Sequence, residues 1–285
     1  MASEIYVAME AAAKGAVIVE KLFGKPVEEI GLEYKKKDGD TPRTIIDRES
    51  GSAIISHLKQ AYPKDSINEE ETGYHAGSED RRWHADPFDG TSNAPIGLRL
   101  STVGIALQKG GEVVAGVAAD PFSRKVYAAE KGSGAFEICY AVSGSGEVSF
   151  GEKKKIVASK RFLPKERYAE IDGLFNAKTA ERKSGFLRDL ALCASNVRMS
   201  GSNIRSSLSL ASGQTDIWLI DAVGGFFDIA PGAVLIPEAG GKLTGIDGKP
   251  VHPGIQVAIG SNNVGDHEEL CRIAHRHYES YAGFR

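Results

Sequence analysis

The sequence predicts a mixed α and β fold, with a helix-covered, antiparallel-rich sheet in the first half and a smaller α/β unit in the second. Three observations carry this. Apolar residues recur at helical spacing near the N-terminus, short apolar strands broken by glycine turns follow, and strand-like and helix-like segments alternate beyond residue 155. A chain of 285 residues can bury a full core as one large domain or as two intimate subdomains. We divide it into an N-terminal α+β subdomain over 1–150 and a C-terminal α/β subdomain over 151–285, forming one integrated fold.

Ile5, Met9, Ala12, Ala13, Ala16, Val19 and Phe23 share one helical face and predict a first helix ending at Gly24. A second helix is expected from Ile46 to Tyr62, with Ile54, Ile55 and Leu58 inward. Between them, Tyr34 to Arg43 is charged and contains glycine, so it reads as a solvated loop, one that could fold over an anionic ligand. Ser66 to Asn68 and Arg81 to Ala85 read as short strands, the second ended by Pro87 because proline lacks a backbone donor. Ser101 to Gln108 and Glu112 to Ala119 form a hairpin through Gly110-Gly111. Arg124 to Ala129 is another strand, after which Gly132-Ser133-Gly134 turns the chain. The apolar-poor stretch Ala141 to Lys155 marks the subdomain boundary. Beyond it we expect strands at Ile156–Ser159, Val197–Met199, Asp216–Ile220 and Gln256–Gly260. Helices are expected near Pro164–Ile171, Phe186–Ala194, Ser202–Ala211, Asp228–Ala239 and Asp266–Tyr281.

The composition, 41% hydrophobic and 26% charged, is that of a soluble globular protein. A net charge of −3 argues against nucleic acid or an anionic membrane as partner. No apolar run approaches the roughly 18–20 residues of a membrane span. Glu4, Glu10, Lys14 and Glu20 interrupt the first segment, so we expect neither a signal peptide nor an anchor. Cys139, Cys193 and Cys271 have no zinc or disulfide spacing, which points to a reducing cytoplasm and to buried structural thiols. The seven histidines are scattered and are expected in surface or capping roles.

The chemistry concentrates in Trp83-His84-Ala85-Asp86-Pro87-Phe88-Asp89-Gly90-Thr91-Ser92-Asn93. Asp86 and Asp89 flank a tight turn, close enough to share hard cations through oxygen ligands. Gly90, Thr91 and Ser92 would follow as a helix N-terminus, whose free N–H groups and positive dipole end suit a phosphate. Metal ligands and an anion cradle in one short segment point to phosphate-ester chemistry.

The string Asp-Pro-Phe-Asp-Gly-Thr-Ser-Asn resembles the signature of the inositol monophosphatase family. That family belongs to a wider lithium-sensitive superfamily with fructose-1,6-bisphosphatases and 3'-phosphoadenosine 5'-phosphate phosphatases. Glu69-Glu70-Glu71, alone most often a solvated loop, resembles the family's Gly-Glu-Glu step, with Glu69 at the glycine's place and Glu70 as the matching metal ligand. Thr44-Ile45-Ile46-Asp47 resembles the Val-Thr-x-x-Asp step that opens the second helix, and Lys36 falls at the family's mobile-loop lysine. Gly225-Phe226-Phe227-Asp228-Ile229-Ala230-Pro231-Gly232-Ala233 and the following Glu238-Ala239-Gly240-Gly241 resemble the second signature, with Phe227 in place of tryptophan. Ser200-Gly201-Ser202 resembles a Gly-Ser/Thr step beside the substrate, and Asp221 falls where inositol phosphatases carry a glutamate that bonds substrate hydroxyls. The motifs stand in the family's order and span nearly the whole chain.

The resemblance implies a layered α-β-α-β-α sandwich, usually a homodimer, with the site where the two halves meet. Two to three Mg²⁺ ions would be held by Glu70, Asp86, Asp89, Asp228 and the backbone carbonyl of Phe88, and lithium would inhibit. Asp47 and Thr91, with Glu70, would activate a water, while Gly90, Thr91 and Ser92 hold the phosphate. Lys36, Gly201, Ser202 and Asp221 would contact the substrate. The implied activity is hydrolysis of a small phosphorylated metabolite, with inositol monophosphate the leading candidate. A 3'-phosphonucleotide, fructose 1,6-bisphosphate and histidinol phosphate stay open. Asn93, where nucleotide-cleaving relatives carry lysine, leans toward inositol; Ala94 to Arg99 departs from the inositol phosphatases' aromatic loop, and Arg99 is either an anion contact or a surface charge. A non-catalytic relative would have lost a metal carboxylate or the threonine, and all are present.

Overall fold

Small side chains set the first layer. Helix α1 (Glu4–Leu22) buries Ala8, Ala11, Ala12, Ala13 and Ala16, so its backbone lies close to its neighbours. A single turn, α2 (Val27–Ile30), leads to α3 (Ile45–Ala61), which packs along α1. The computed structural model describes residues 3–35, 41–173, 180–221, 224–262 and 265–279. Between α2 and α3 the expected solvated loop is instead an antiparallel pair, β1 (Glu33–Lys35) and β2 (Thr41–Arg43), with Lys35 opposite Thr41. Its charged residues hid it, because a strand pair outside the main sheets need not alternate apolar and polar residues.

The helices lie on one face of a nine-stranded sheet. Its strands are β3 (Asp65–Glu69), β4 (Gly73–His75), β5 (Ser78–Asp89), β6 (Thr102–Lys109), β7 (Glu112–Asp120), β8 (Lys125–Glu130), β9 (Ala135–Val142), β10 (Val148–Phe150) and β11 (Lys154–Lys155). The order is β10-β9-β8-β7-β6-β5-β3-β4, with β11 also on β9; every pair is antiparallel except β3 with β5. Four of these strands, β4, β9, β10 and β11, were not anticipated; the last two fall in the apolar-poor stretch read as a boundary. Strand β5 does not stop at Pro87. It continues to Asp89 through a register shift between Asp86 and Asp89, where an irregular ladder tolerates a residue without an N–H. Trp83 is fully buried on β5 and donates its indole N–H to Asp65 at 2.9 Å; Arg81 holds the same carboxylate.

The second half supplies the remaining layers. Helices α4 (Ala180–Leu190), α5 (Asn203–Ala211), α6 (Gly232–Glu238) and α7 (His267–Tyr278) accompany a five-stranded sheet. Its strands are β12 (Tyr168–Asp172), β13 (Asn196–Arg198), β14 (Ile217–Asp221), β15 (Lys242–Gly245) and β16 (Val257–Ser261), in the order β13-β12-β14-β16-β15. Strands β13, β12 and β14 run parallel, whereas β16 and β15 are antiparallel additions. Helices α5 and α6 fill the space between the sheets, and α4 and α7 cover the outer face. The result is the α-β-α-β-α layering expected, with one apolar cluster under α1 and α3, one around α5 and α6 that touches both sheets, and one under α4 and α7.

Several local expectations fail. Ile156 to Ser159 forms no strand, and Pro164 to Ile171 is a 3-10 turn (Pro164–Glu166) followed by β12 rather than a helix. Strand β12 is buried yet carries Glu170 and Asp172, which masks the apolar run that marks a central strand. The helix expected from Asp228 is a 3-10 turn (Phe226–Asp228) and then α6, with Pro231 at its N-cap. Of the cysteines only Cys271 is buried, and two histidines, His84 and His267, lie inside rather than at the surface. No helix among the described residues is long and apolar enough to cross a membrane.

Candidate active site

Three carboxylates converge from the two halves of the chain. Asp86 and Asp89 come from the end of β5 and Asp228 from the 3-10 turn before α6; one oxygen of each lies within 4.8 Å of the others. All three are buried. The irregular ladder at Pro87 matters here, since residues three apart on a regular strand face opposite sides. Asp86 accepts the Phe88 N–H at 3.0 Å, and Asp228 accepts those of Gly224 (2.8 Å) and Gly225 (3.1 Å). Asp89 sits at the start of α5, where it accepts the Ile204 N–H at 2.6 Å and the Ser202 hydroxyl.

Crowding like charges out of water is costly. Burial, then the charges of Glu70, Asp89 and Asp228, push the Asp86 carboxyl well above its ordinary value. Burial, then Asp89 and Glu70, do the same to Asp228. Burial pushes Asp89 up to about 7, against the pull of hydrogen bonds from Ser202 and Ile204. Three buried oxygen donors with mutual repulsion and no cationic side chain among them fit a hard divalent cation such as Mg²⁺.

Glu70 stands apart from this trio. It lines the same cavity, and its charge raises Asp47, Asp86, Asp89 and Asp228, but its own Oε1 accepts from Lys35 at 2.9 Å. Glu69, at the place of the family's glycine, is buried and accepts the Thr72 N–H at 2.8 Å. The compensation is on α3: a Cβ on Gly51 would meet Glu69 Oε1 at 2.7 Å, so the missing side chain makes room for the extra one.

Asp47 lies in the first turn of α3, inside a capping box with Thr44. Its Oδ2 accepts the Thr44 N–H and hydroxyl, both at 2.7 Å, and its Oδ1 is 2.9 Å from the Thr91 hydroxyl. The same hydroxyl is 2.9 Å from the Phe88 carbonyl. Burial, reinforced by Glu70, pushes the Asp47 carboxyl up to about 7, against hydrogen bonds from Thr44 and Thr91.

Gly90, Thr91 and Ser92 line the cavity, but they do not open a helix. Thr91–Asn93 is a single 3-10 turn, so an anion held there would meet local N–H groups rather than a helix dipole. Gly90 has φ +87°, and a Cβ there would meet Ser202 at 2.9 Å. This close approach joins the turn to Ser200-Gly201-Ser202. Asn93 donates to the Ser200 carbonyl at 2.9 Å, and Asp172 accepts the N–H groups of Ser200 (3.2 Å) and Gly201 (3.1 Å).

Of the expected substrate contacts, Gly201 reaches the cavity. Ser202 does not: its hydroxyl caps α5 and donates to Asp89. Asp221 does not either. It is buried, with Arg182 bonding both carboxylate oxygens at 3.0 and 3.1 Å, because one methylene fewer and a cationic neighbour on α4 turn it inward. Lys36 lies outside the described residues. His84 is buried, bonds Gln108 at 2.9 Å and meets Phe226 edge-on at 5.0 Å. Arg99 is exposed over the Phe122 ring, 5.8 Å from its centroid. Lys35, Gly51, Asn93 as a clamp, Asp172, Arg182 and the wall residues Asn203, Phe227 and Gln256 went unforeseen. Asn93 and Phe227 lay in recognised motifs; the others carry no local pattern.

The model of the inositol monophosphatase family matches residues 1–279. Among curated relatives, the fructose-1,6-bisphosphatase/inositol-1-monophosphatase of Thermotoga maritima is 28% identical, over 84% of this chain and 85% of that protein. The histidinol-phosphatase of Streptomyces coelicolor is 30% identical, over 87% and 90%. Among solved structures, the extragenic suppressor protein suhB of Bartonella henselae superposes with a TM-score of 0.80 at 26% identity, over 94% of this chain and 97% of that one. The chain belongs to the inositol monophosphatase family, and is thereby a phosphoric monoester hydrolase.

Proposed function

We propose that this phosphatase hydrolyses a small phosphate monoester with Mg²⁺ held by Asp86, Asp89, Asp228, Glu70 and the Phe88 carbonyl. The observation that carries this reading is the Asp47–Thr91 contact of 2.9 Å beside the buried carboxylate trio. When bound, Mg²⁺ supplies Lewis acidity to the phosphoryl oxygens and to a water, and offsets charge on the leaving oxygen. Asp47 acts as base: its Oδ1 takes a proton relayed by the Thr91 hydroxyl, while Thr44 pins Oδ2. Backbone groups of Gly90, Thr91 and Ser92 hold the phosphate, and the left-handed Gly90 lets the chain come close to it. The water oxygen bonds to phosphorus as the ester P–O bond breaks, and the departing alkoxide takes a proton from solvent to leave as the alcohol. Buried and pushed up to about 7, Asp47 is matched to proton transfer near neutral pH.

Inositol monophosphate is the first candidate substrate. Histidinol phosphate is a second, favoured because Asp221 is tied to Arg182 and offers no carboxylate to a cyclitol; the wall there carries Asn203, Phe227 and Gln256. The test is phosphate release from inositol 1-phosphate, histidinol phosphate, fructose 1,6-bisphosphate and 3'-phosphoadenosine 5'-phosphate, with and without Mg²⁺ and with added Li⁺. Mg²⁺-dependent, Li⁺-sensitive release is expected, and the best ester names the substrate. Equal release without Mg²⁺ would contradict the metal reading.

A further inference from the structure

Among the described residues, Lys35 is the one cationic side chain on the wall of the catalytic cavity, which Glu69, Glu70, Asp86, Asp89 and Asp228 also line. Its ammonium bonds Glu70 Oε1 at 2.9 Å and contacts Glu71 Oε1 as well. The two carboxylates differ. Glu70 faces the cavity and is 24% exposed, whereas Glu71 is 3% exposed and has Arg43 Nε 3.6 Å away. Burial opposes the Lys35 charge, but Glu70 and Glu71 outweigh it and hold its pKa above the ordinary lysine value.

We propose that Lys35 is a tethered counter-cation for Glu70, and that a divalent cation recruits Glu70 by displacing the ammonium onto Glu71. This rests on the reading of Glu70 as a metal ligand. An ammonium and a divalent cation compete for the same oxygen, and two positive charges a few ångströms apart repel. Glu71 gives the displaced ammonium a buried partner, so Lys35 need not carry its charge into an apolar wall. The strand pair bearing Lys35 belongs to neither large sheet, and Thr41 and Pro42 of its second strand line the same cavity.

The experiment is direct Mn²⁺ binding, with free Mn²⁺ read by electron paramagnetic resonance, on the folded full chain. Removing the competitor in Lys35→Met should tighten one class of site by roughly tenfold, the size of a unit charge's effect on a neighbouring ionisable group. Lys35→Arg should bind as the parent does. Glu71→Gln, which removes the displaced partner, should weaken the same class. Unchanged or weaker binding in Lys35→Met would overturn the proposal. The underlying reading has its own control: Glu70→Gln must lose that class, and if it keeps every site, Glu70 is no ligand.

Discussion

Asp89 joins two functions in one side chain. It is part of the carboxylate trio, and it is the acceptor into which the first N–H groups of α5 point. Replacing it by asparagine removes a charge from the metal cluster and puts an amide where N–H groups expect an acceptor. We expect Asp89→Asn to weaken Mg²⁺ binding by at least roughly tenfold, as measured by calorimetric titration. At this scale the sequence was most legible where partners are close in the chain. Asp86 and Asp89 stand three apart, and Asp228 sits in its own short motif. Pairings such as Lys35 with Glu70, Gly51 with Glu69 and Arg182 with Asp221 join residues whose separation carries no local pattern, and only the fold brings them together.

Elements matter through their ends. Asp47 meets Thr91 because α3 begins where it does, and Thr44 fixes that start by capping the helix and bonding the same carboxylate. Thr44→Ala should therefore cost about 1 kcal/mol of stability, seen in urea unfolding, and also lower kcat by freeing Asp47. A drop in stability with kcat intact would separate the cap from the chemistry. The long amphipathic helices and the β6–β7 hairpin were readable because periodicity and paired glycines mark them. The strand pair β1–β2 and strand β12 were not: one has no apolar alternation, with Glu33, Lys35 and Arg43 among its six residues, and the other buries Glu170 and Asp172, of which Asp172 holds the turn before α5.

For the whole molecule, the site is a concentration of unfavourable charge that the fold tolerates. Asp47 and Asp89 have an ordinary carboxylate value of 3.8 and are pushed up to about 7. Between those limits the folded state holds protons that the unfolded chain has lost. Their contribution to stability is thus fully present below about pH 4 and is lost as pH rises through 7. A divalent cation takes over the protons' role, so the thermal stabilisation by Mg²⁺ should be larger at pH 8 than at pH 5, by the equivalent of a few kcal/mol. Thermal melts with and without Mg²⁺ at the two pH values check this; an increment independent of pH would count against the coupling. The fold places that charge at the end of β5, where side chains from both halves of the chain reach it.

The measurement that bears most directly on the proposed chemistry is kcat of Thr91→Val at saturating substrate and Mg²⁺. Valine keeps the shape of threonine but removes the hydroxyl that lies between Asp47 and the Phe88 carbonyl. If the Asp47–Thr91 pair activates water, kcat falls by about 100-fold or more while Mg²⁺ affinity stays near that of the parent. A kcat within a factor of a few of the parent would contradict that role and leave Thr91 a structural tie.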